Sequence, residues 1–156
     1  MKTGSKSLQT AQWCQYLLDS YAYRLGHELI VRDGPIIEQA EYLFNSPFVV
    51  ASHGIQDDPI LNYGNQAALD LWEMSWDEFT QTPSRITAEP VNREARAHML
   101  AQAKSQGYIS DYRGVRISRT KRRFMVDQAI IWNICNPDGT LLGQGATFST
   151  WTYLES

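Results

Sequence analysis

Arg123-Phe124-Met125-Val126-Asp127-Gln128-Ala129-Ile130-Ile131-Trp132-Asn133-Ile134-Cys135 is the longest β-rich run in this chain of 156 residues. Behind it stand Asn136-Pro137-Asp138-Gly139 and then Leu141 to Trp151. Aromatic and β-branched side chains suit a pleated, half-buried surface. The tetrad suits a turn, because Asn and Asp bond their own backbone and Gly accepts a positive φ. The two runs read as a hairpin. Upstream, Ile109 to Ser118 leads into the basic turn Arg119-Thr120-Lys121 and adds a third strand. Near the N-terminus, Phe48 to His53 and a run opened by Asp58-Pro59 supply two more. We therefore expect a five-stranded antiparallel sheet over roughly 48–53, 59–63, 109–118, 123–135 and 140–151.

The segments between these strands are helical in period. Cys14, Leu17, Leu18, Tyr21 and Leu25 fall on one face of a helix over 8–25. Pro35 opens a second helix with Ile36, Ile37, Ala40, Leu43 and Phe44, and Asn45-Ser46-Pro47 stops it. Asn65 suits a helix cap ahead of Ala68, Leu69, Leu71 and Trp72, and Ser75 with Glu78 fits a capping box. Asn92 caps a longer helix that Gly107 closes. One sheet with helices on one face is an α+β fold. The long strand is apolar on both parities, so the second face needs cover as well, from the N-terminal helix of this chain or of a second one. The expected division is a disordered tail over 1–7, a helical extension over 8–46 and a core over 47–154.

Charge and cysteine usage narrow the function. Lys and Arg number 14 against 17 Asp and Glu, a net charge of −3. That argues against nucleic acid as a partner and against a membrane surface, both of which favour a basic field. Cys14 and Cys135 stand far apart with no metal-ligand spacing. No apolar signal region follows Met1-Lys2-Thr3-Gly4, and we expect a cytoplasmic protein.

The element order resembles a PAS domain: a strand pair, a helical excursion, then a three-stranded meander. Phe48-Val49-Val50, Asp57-Asp58-Pro59-Ile60-Leu61 and Asn65-Gln66-Ala67 are similar to the opening of a PAS or light-oxygen-voltage domain. Tyr63-Gly64-Asn65-Gln66-Ala67-Ala68-Leu69-Asp70 and Gln128-Ala129-Ile130-Ile131-Trp132-Asn133, with Asn136-Pro137-Asp138-Gly139, resemble a narrower family, the MEKHLA domain. That PAS-like domain ends plant class III homeodomain-leucine zipper proteins and also occurs as a small free-standing bacterial protein. With no homeodomain or zipper attached, the free-standing form is expected.

The resemblance implies a sheet and short helices enclosing a ligand cavity. Strand alternation then nominates the lining. Val126, Gln128, Ile130 and Trp132 share one parity, and Gln144, Ala146 and Phe148 form the matching set on the last strand. With Trp72 beside them, the expected ligand-binding residues are Trp72, Val126, Gln128, Ile130, Trp132, Gln144 and Phe148. Light-oxygen-voltage photochemistry needs a cysteine at the start of the excursion. Thr82-Pro83-Ser84-Arg85-Ile86-Thr87 has none, so only a non-covalent flavin or another small organic ligand stays open. Arg85, Arg93 and Arg96 are candidates for a ligand phosphate. His98 lies in the helix that carries the haem ligand in haem-binding relatives, but its offset from Glu89-Pro90 and Gly107 argues against haem.

Six basic residues, Arg113, Arg116, Arg119, Lys121, Arg122 and Arg123, crowd a hairpin turn, where solvated charge also blocks edge-to-edge pairing. The expected function is a non-enzymatic sensory module that binds a small molecule and signals through a homodimer or a partner. One alternative is a cavity enzyme of the cone-shaped α+β barrel type, using His53 with Asp57 or Asp127. The other is an interaction module with a filled core and no ligand.

Overall fold

The computed structural model describes residues 7–88 and 93–154. Helix α1 (Leu8–Leu25) starts where the Ser7 hydroxyl accepts the Thr10 amide and ends at Gly26 in the left-handed region. Helix α2 (Ile36–Phe44) follows. Strands β1 (Val49–His53) and β2 (Leu61–Gly64) lead to the short helices α3 (Gln66–Trp72) and α4 (Trp76–Phe79), then to a single 3-10 turn at Ser84–Thr87. Helix α5 (Arg93–Gln106) returns the chain to β3 (Tyr108–Ile117), β4 (Arg123–Cys135), β5 (Leu141–Phe148) and β6 (Thr150–Tyr153). The expected cap Asn92 and the reference pair Glu89-Pro90 lie outside the described residues, as do residues 1–6 of the expected tail.

All strand pairs are antiparallel, in the order β2-β1-β5-β4-β3. The expected last strand is broken at Ser149: β5 pairs with the second half of β4 and β6 with the first half. The sheet is covered on both faces. The inner face lies under α3 and the 3-10 turn, where Trp72 packs against Phe124 and Phe148. The outer face lies under α1 of the same chain. There the Trp132 indole N–H donates to the Leu17 carbonyl at 3.1 Å, and Tyr21 meets Trp132 edge-on at 5.0 Å. Trp13 donates to the Ser52 hydroxyl at 3.0 Å, and the Ser20 hydroxyl accepts the Cys135 amide at 2.9 Å. An added Cβ on Gly145 would stand 2.8 Å from the Trp132 ring, so this glycine makes the room that lets the indole lie flat on the sheet.

Strand alternation does not run unbroken through β4. Gln128 has φ 55° and Asp111, on the facing strand, has φ 60°. The β3–β4 register slips by one residue between Ile109 and Tyr112 and slips back between Tyr112 and Gly114. These are two compensating bulges, and each reverses the side-chain parity of its strand. The break at Ser149 stands opposite Gln128, because Ile130 pairs with Thr147 and Asp127 with Thr150. Phe124 and Val126 therefore face inward, and so do Ala129 and Ile131 beyond the bulge. This corrects the expected lining. Gln128 is exposed, and Ile130 and Trp132 belong to the outer face under α1. The Asp127 carboxylate accepts the Gln128 amide at 3.0 Å and holds the bulge locally.

A β-branched residue tolerates positive φ poorly. Gln128→Val is expected to cost about 1–3 kcal/mol, whereas Gln128→Asn changes stability little. Urea melts of the two variants check this, and an unchanged midpoint for Gln128→Val would contradict the bulge.

Cys14 is fully buried on the sheet side of α1, and burial pushes its thiol up from 9.0 to about 12. The unfolded chain then releases this proton near pH 9 while the folded chain keeps it. The stability it contributes is complete below pH 9 and drains as pH rises toward 12, by up to about 1.4 kcal/mol per pH unit. Cys14→Ala is expected to flatten the fall in stability between pH 9 and 11, read from urea melts at each pH. A slope equal to that of the parent chain would contradict this burial.

Candidate functional site

Between the inner face and the short helices lies a cavity of about 70 Å³. The sheet contributes Ala51 and His53 from β1, Tyr112 and Arg116 from β3, Val126, Ala129 and Ile131 from β4, and Gln144, Ala146 and Phe148 from β5. The other wall is Leu61 at the start of β2, Trp72 at the end of α3, Phe79 of α4, and Ser84 and Thr87 of the 3-10 turn. Of the seven residues expected to bind ligand, Trp72, Val126, Gln144 and Phe148 come together here, and Gln128, Ile130 and Trp132 do not.

Capping and latching position the Trp72 wall. Asn65 caps α3 by accepting the Ala68 amide at 3.1 Å, so the helix starts at a fixed point on β1. At its far end Glu73 takes φ 61°, and the β3–β4 turn clasps it. The Arg119 amide donates to the Trp72 carbonyl at 3.0 Å and its Nε to the Glu73 carbonyl at 2.8 Å, while the Thr120 hydroxyl donates to the Glu73 carboxylate. The Trp72 indole nitrogen is buried with no hydrogen-bond partner. An unmet buried donor costs about 1–3 kcal/mol, so its survival in a cavity wall is informative.

Arg116 was legible only as one charge in a basic run. It is in fact 8% exposed and turned inward, paired across the ladder with Phe124. The guanidinium donates to the Val115 carbonyl at 2.9 Å and the Tyr112 hydroxyl at 2.9 Å, and lies 5.2 Å from the centre of the Tyr112 ring. The Tyr112 side chain reaches it by crossing Gly114, where an added Cβ would come within 2.5 Å of the tyrosine hydroxyl. No carboxylate among the described residues lies within 4.0 Å of Arg116. The signal for this residue was its position between the apolar Val115 and Ile117, two residues from Gly114.

The rest of the basic run disperses. Arg113 approaches Asp127 at 3.9 Å, Arg119 holds α3, and Arg122 lies 3.6 Å over the Tyr153 ring. Arg85 pairs with Asp58 at 3.1 Å on the surface, outside the cavity wall. The side chains of Arg93 and Arg96 lie outside the described residues. His98 is exposed and His27 lies against Tyr21 on the outer side, so neither stands in the cavity. Asp57 is exposed and Asp127 faces Arg113, and the described cavity wall holds no carboxylate beside His53. Neither Cys14 nor Cys135 lines the cavity.

A flavin does not fit this space. Ligand sites for molecules of that class run to roughly 300–1,000 Å³. Here the space is about 70 Å³, and Trp72, Phe79 and Phe148 are part of its wall. Among the described residues no group of His, Cys, Asp and Glu could hold a metal, and no helix is long and apolar enough to cross a membrane.

This topology defines a PAS-like domain. Solved structures bear that out at the level of the fold. A PAS domain of a protein from Colwellia psychrerythraea superposes with a TM-score of 0.62 at 11% identity, covering 70% of this chain and 92% of that one. A light-oxygen-voltage domain studied with a flavin analogue gives 0.59 at 11% identity, over 76% of this chain and 86% of that one. An RNA-binding light-oxygen-voltage receptor gives 0.58 at 13%, over 76% and 32%.

More particularly, the chain belongs to the MEKHLA domain family, whose model matches residues 11–153. It is 26% identical over 148 residues to the homeobox-leucine zipper protein HOX10 of Oryza sativa subsp. indica, a match covering 94% of this chain and 18% of that protein. It is 22% identical over 135 residues to the homeobox-leucine zipper protein REVOLUTA of Arabidopsis thaliana, covering 85% and 16%. The chain thus spans less than a fifth of the length of these plant relatives.

Proposed function

We propose that this PAS-like domain is a sensory module that binds a small molecule in the cavity beneath Trp72 and passes the state of that cavity to a partner or a second copy of the chain. The observation that carries the reading is a largely apolar cavity wall that includes Trp72, whose indole N–H is buried and unpartnered. Such a wall with a few polar groups is the usual form of a small-molecule site. The occupant is smaller than a flavin.

A route for the signal is present. Trp72 ends α3, and the Arg119 and Thr120 bonds at that end connect it to the β3–β4 turn on the surface. A ligand that moves the indole therefore pulls on an exposed hairpin. The apolar side of α1 is packed on its own sheet, so self-association would use other surfaces.

Native mass spectrometry of protein purified from its own cells tests the reading. A retained small molecule is expected, lost on denaturation and missing from Ala129→Trp, which fills the cavity. A parent chain of bare polypeptide mass, unchanged when low-molecular-weight extract is added, would favour the ligand-free interaction module.

A further inference from the structure

We infer that the occupant of this cavity is a small organic carboxylate, held by Arg116. The inference rests on the cavity being a ligand site and names the chemistry that site selects. Arg116 is the charged residue of the described wall, and it is 8% exposed. A guanidinium carries five N–H donors and stays protonated. Protein acceptors take two of its donors here, the Val115 carbonyl and the Tyr112 hydroxyl. Both acceptors are neutral, and no carboxylate of the described residues lies within 4.0 Å. A buried charge without a counter-charge is strongly unfavourable, so a fold that keeps one is poised for an anion.

The second observation is independent. Trp72 lines the same cavity, and its indole N–H is buried with no hydrogen-bond partner. A donor of that kind wants an acceptor and not another donor. Part of the wall has the opposite chemistry: Val126, Ala129 and Ile131 offer only hydrocarbon, while His53, Ser84, Thr87 and Gln144 add polar groups elsewhere.

These features together choose among anions. One guanidinium balances one negative charge, and its planar fork matches the two oxygens of a carboxylate. A phosphate dianion would bring a second charge that this wall does not meet. The apolar half calls for a hydrocarbon tail, and about 70 Å³ limits it to a short chain or one small ring.

Butyrate and butyramide are the probes, being nearly the same in shape and differing in charge. Isothermal titration of the full chain is expected to show butyrate binding at least about tenfold more tightly than butyramide, and inorganic phosphate not competing. Arg116→Gln is expected to lose that margin, so that the two probes bind within about twofold of each other. The comparison of the two probes on the parent chain stands even if the variant does not fold. Equal affinity for the two places the counter-charge of Arg116 within the chain and overturns the carboxylate assignment, while the cavity reading survives. Competition by phosphate also overturns it. Binding of neither probe overturns both the assignment and the cavity reading.

Discussion

A chain beginning at Gly34 is expected to aggregate and to show no cooperative melt. Removal of α1 takes away Ala11, Cys14, Leu17, Leu18 and Tyr21, all buried against the sheet in the intact protein. It also uncovers Trp132 and Ile134, which are fully buried beneath that helix. Burying one large apolar side chain contributes about 1.5–3 kcal/mol, and several are lost here on each side of the interface. The total reaches the entire stability of an ordinary domain, about 5–15 kcal/mol. Size exclusion and circular dichroism decide the matter. A monomer of this truncated chain that melts cooperatively would show that the outer face needs no cover.

Asn65→Leu is expected to be nearly as damaging, although it replaces one side chain of similar size. Asn65 is fully buried. Its side-chain oxygen accepts the Val50 amide at 3.0 Å and the Ala68 amide at 3.1 Å. Its side-chain nitrogen donates to the Phe48 carbonyl at 2.8 Å and the Leu43 carbonyl at 3.2 Å. One residue thus joins the end of α2, the start of β1 and the start of α3. Leucine leaves two amides and two carbonyls without these bonds, at about 1–3 kcal/mol for each group that water cannot reach. A loss of at least about 4 kcal/mol is expected from urea melts, and Asn65→Asp, which keeps the acceptor oxygens, should lose less. A loss below about 1 kcal/mol for Asn65→Leu would show that these bonds are replaced by others.

Asn65 also shows what the sequence could tell. It was legible as a helix cap, because Asn ahead of an apolar run has a local reason to be there. The Ser75–Glu78 capping box and the turn at Asn136 were legible on the same ground, and both are present. Its tie to Leu43, across 22 positions of chain, has no local signature.

The cavity was half legible for a related reason. Alternation placed Val126 correctly and then failed at Gln128, since a bulge reverses parity without altering composition. A polar Asp127-Gln128 pair inside an apolar strand was the available sign. Arg116 was hidden differently: six basic residues around a turn look alike in sequence, and only the sheet separates the inward one from the others.

The indole N–H of Trp72 gives the most direct test of the central claim, that the cavity beneath this residue is where a small molecule acts. Nitrogen-labelled protein has five tryptophan side-chain signals, assignable by single replacements. On addition of the low-molecular-weight extract of the native cells, the Trp72 signal should move, while that of Trp132, bonded to Leu17 on the outer face, should stay fixed. A Trp72 signal that holds its place while signals on the surface respond would contradict the account.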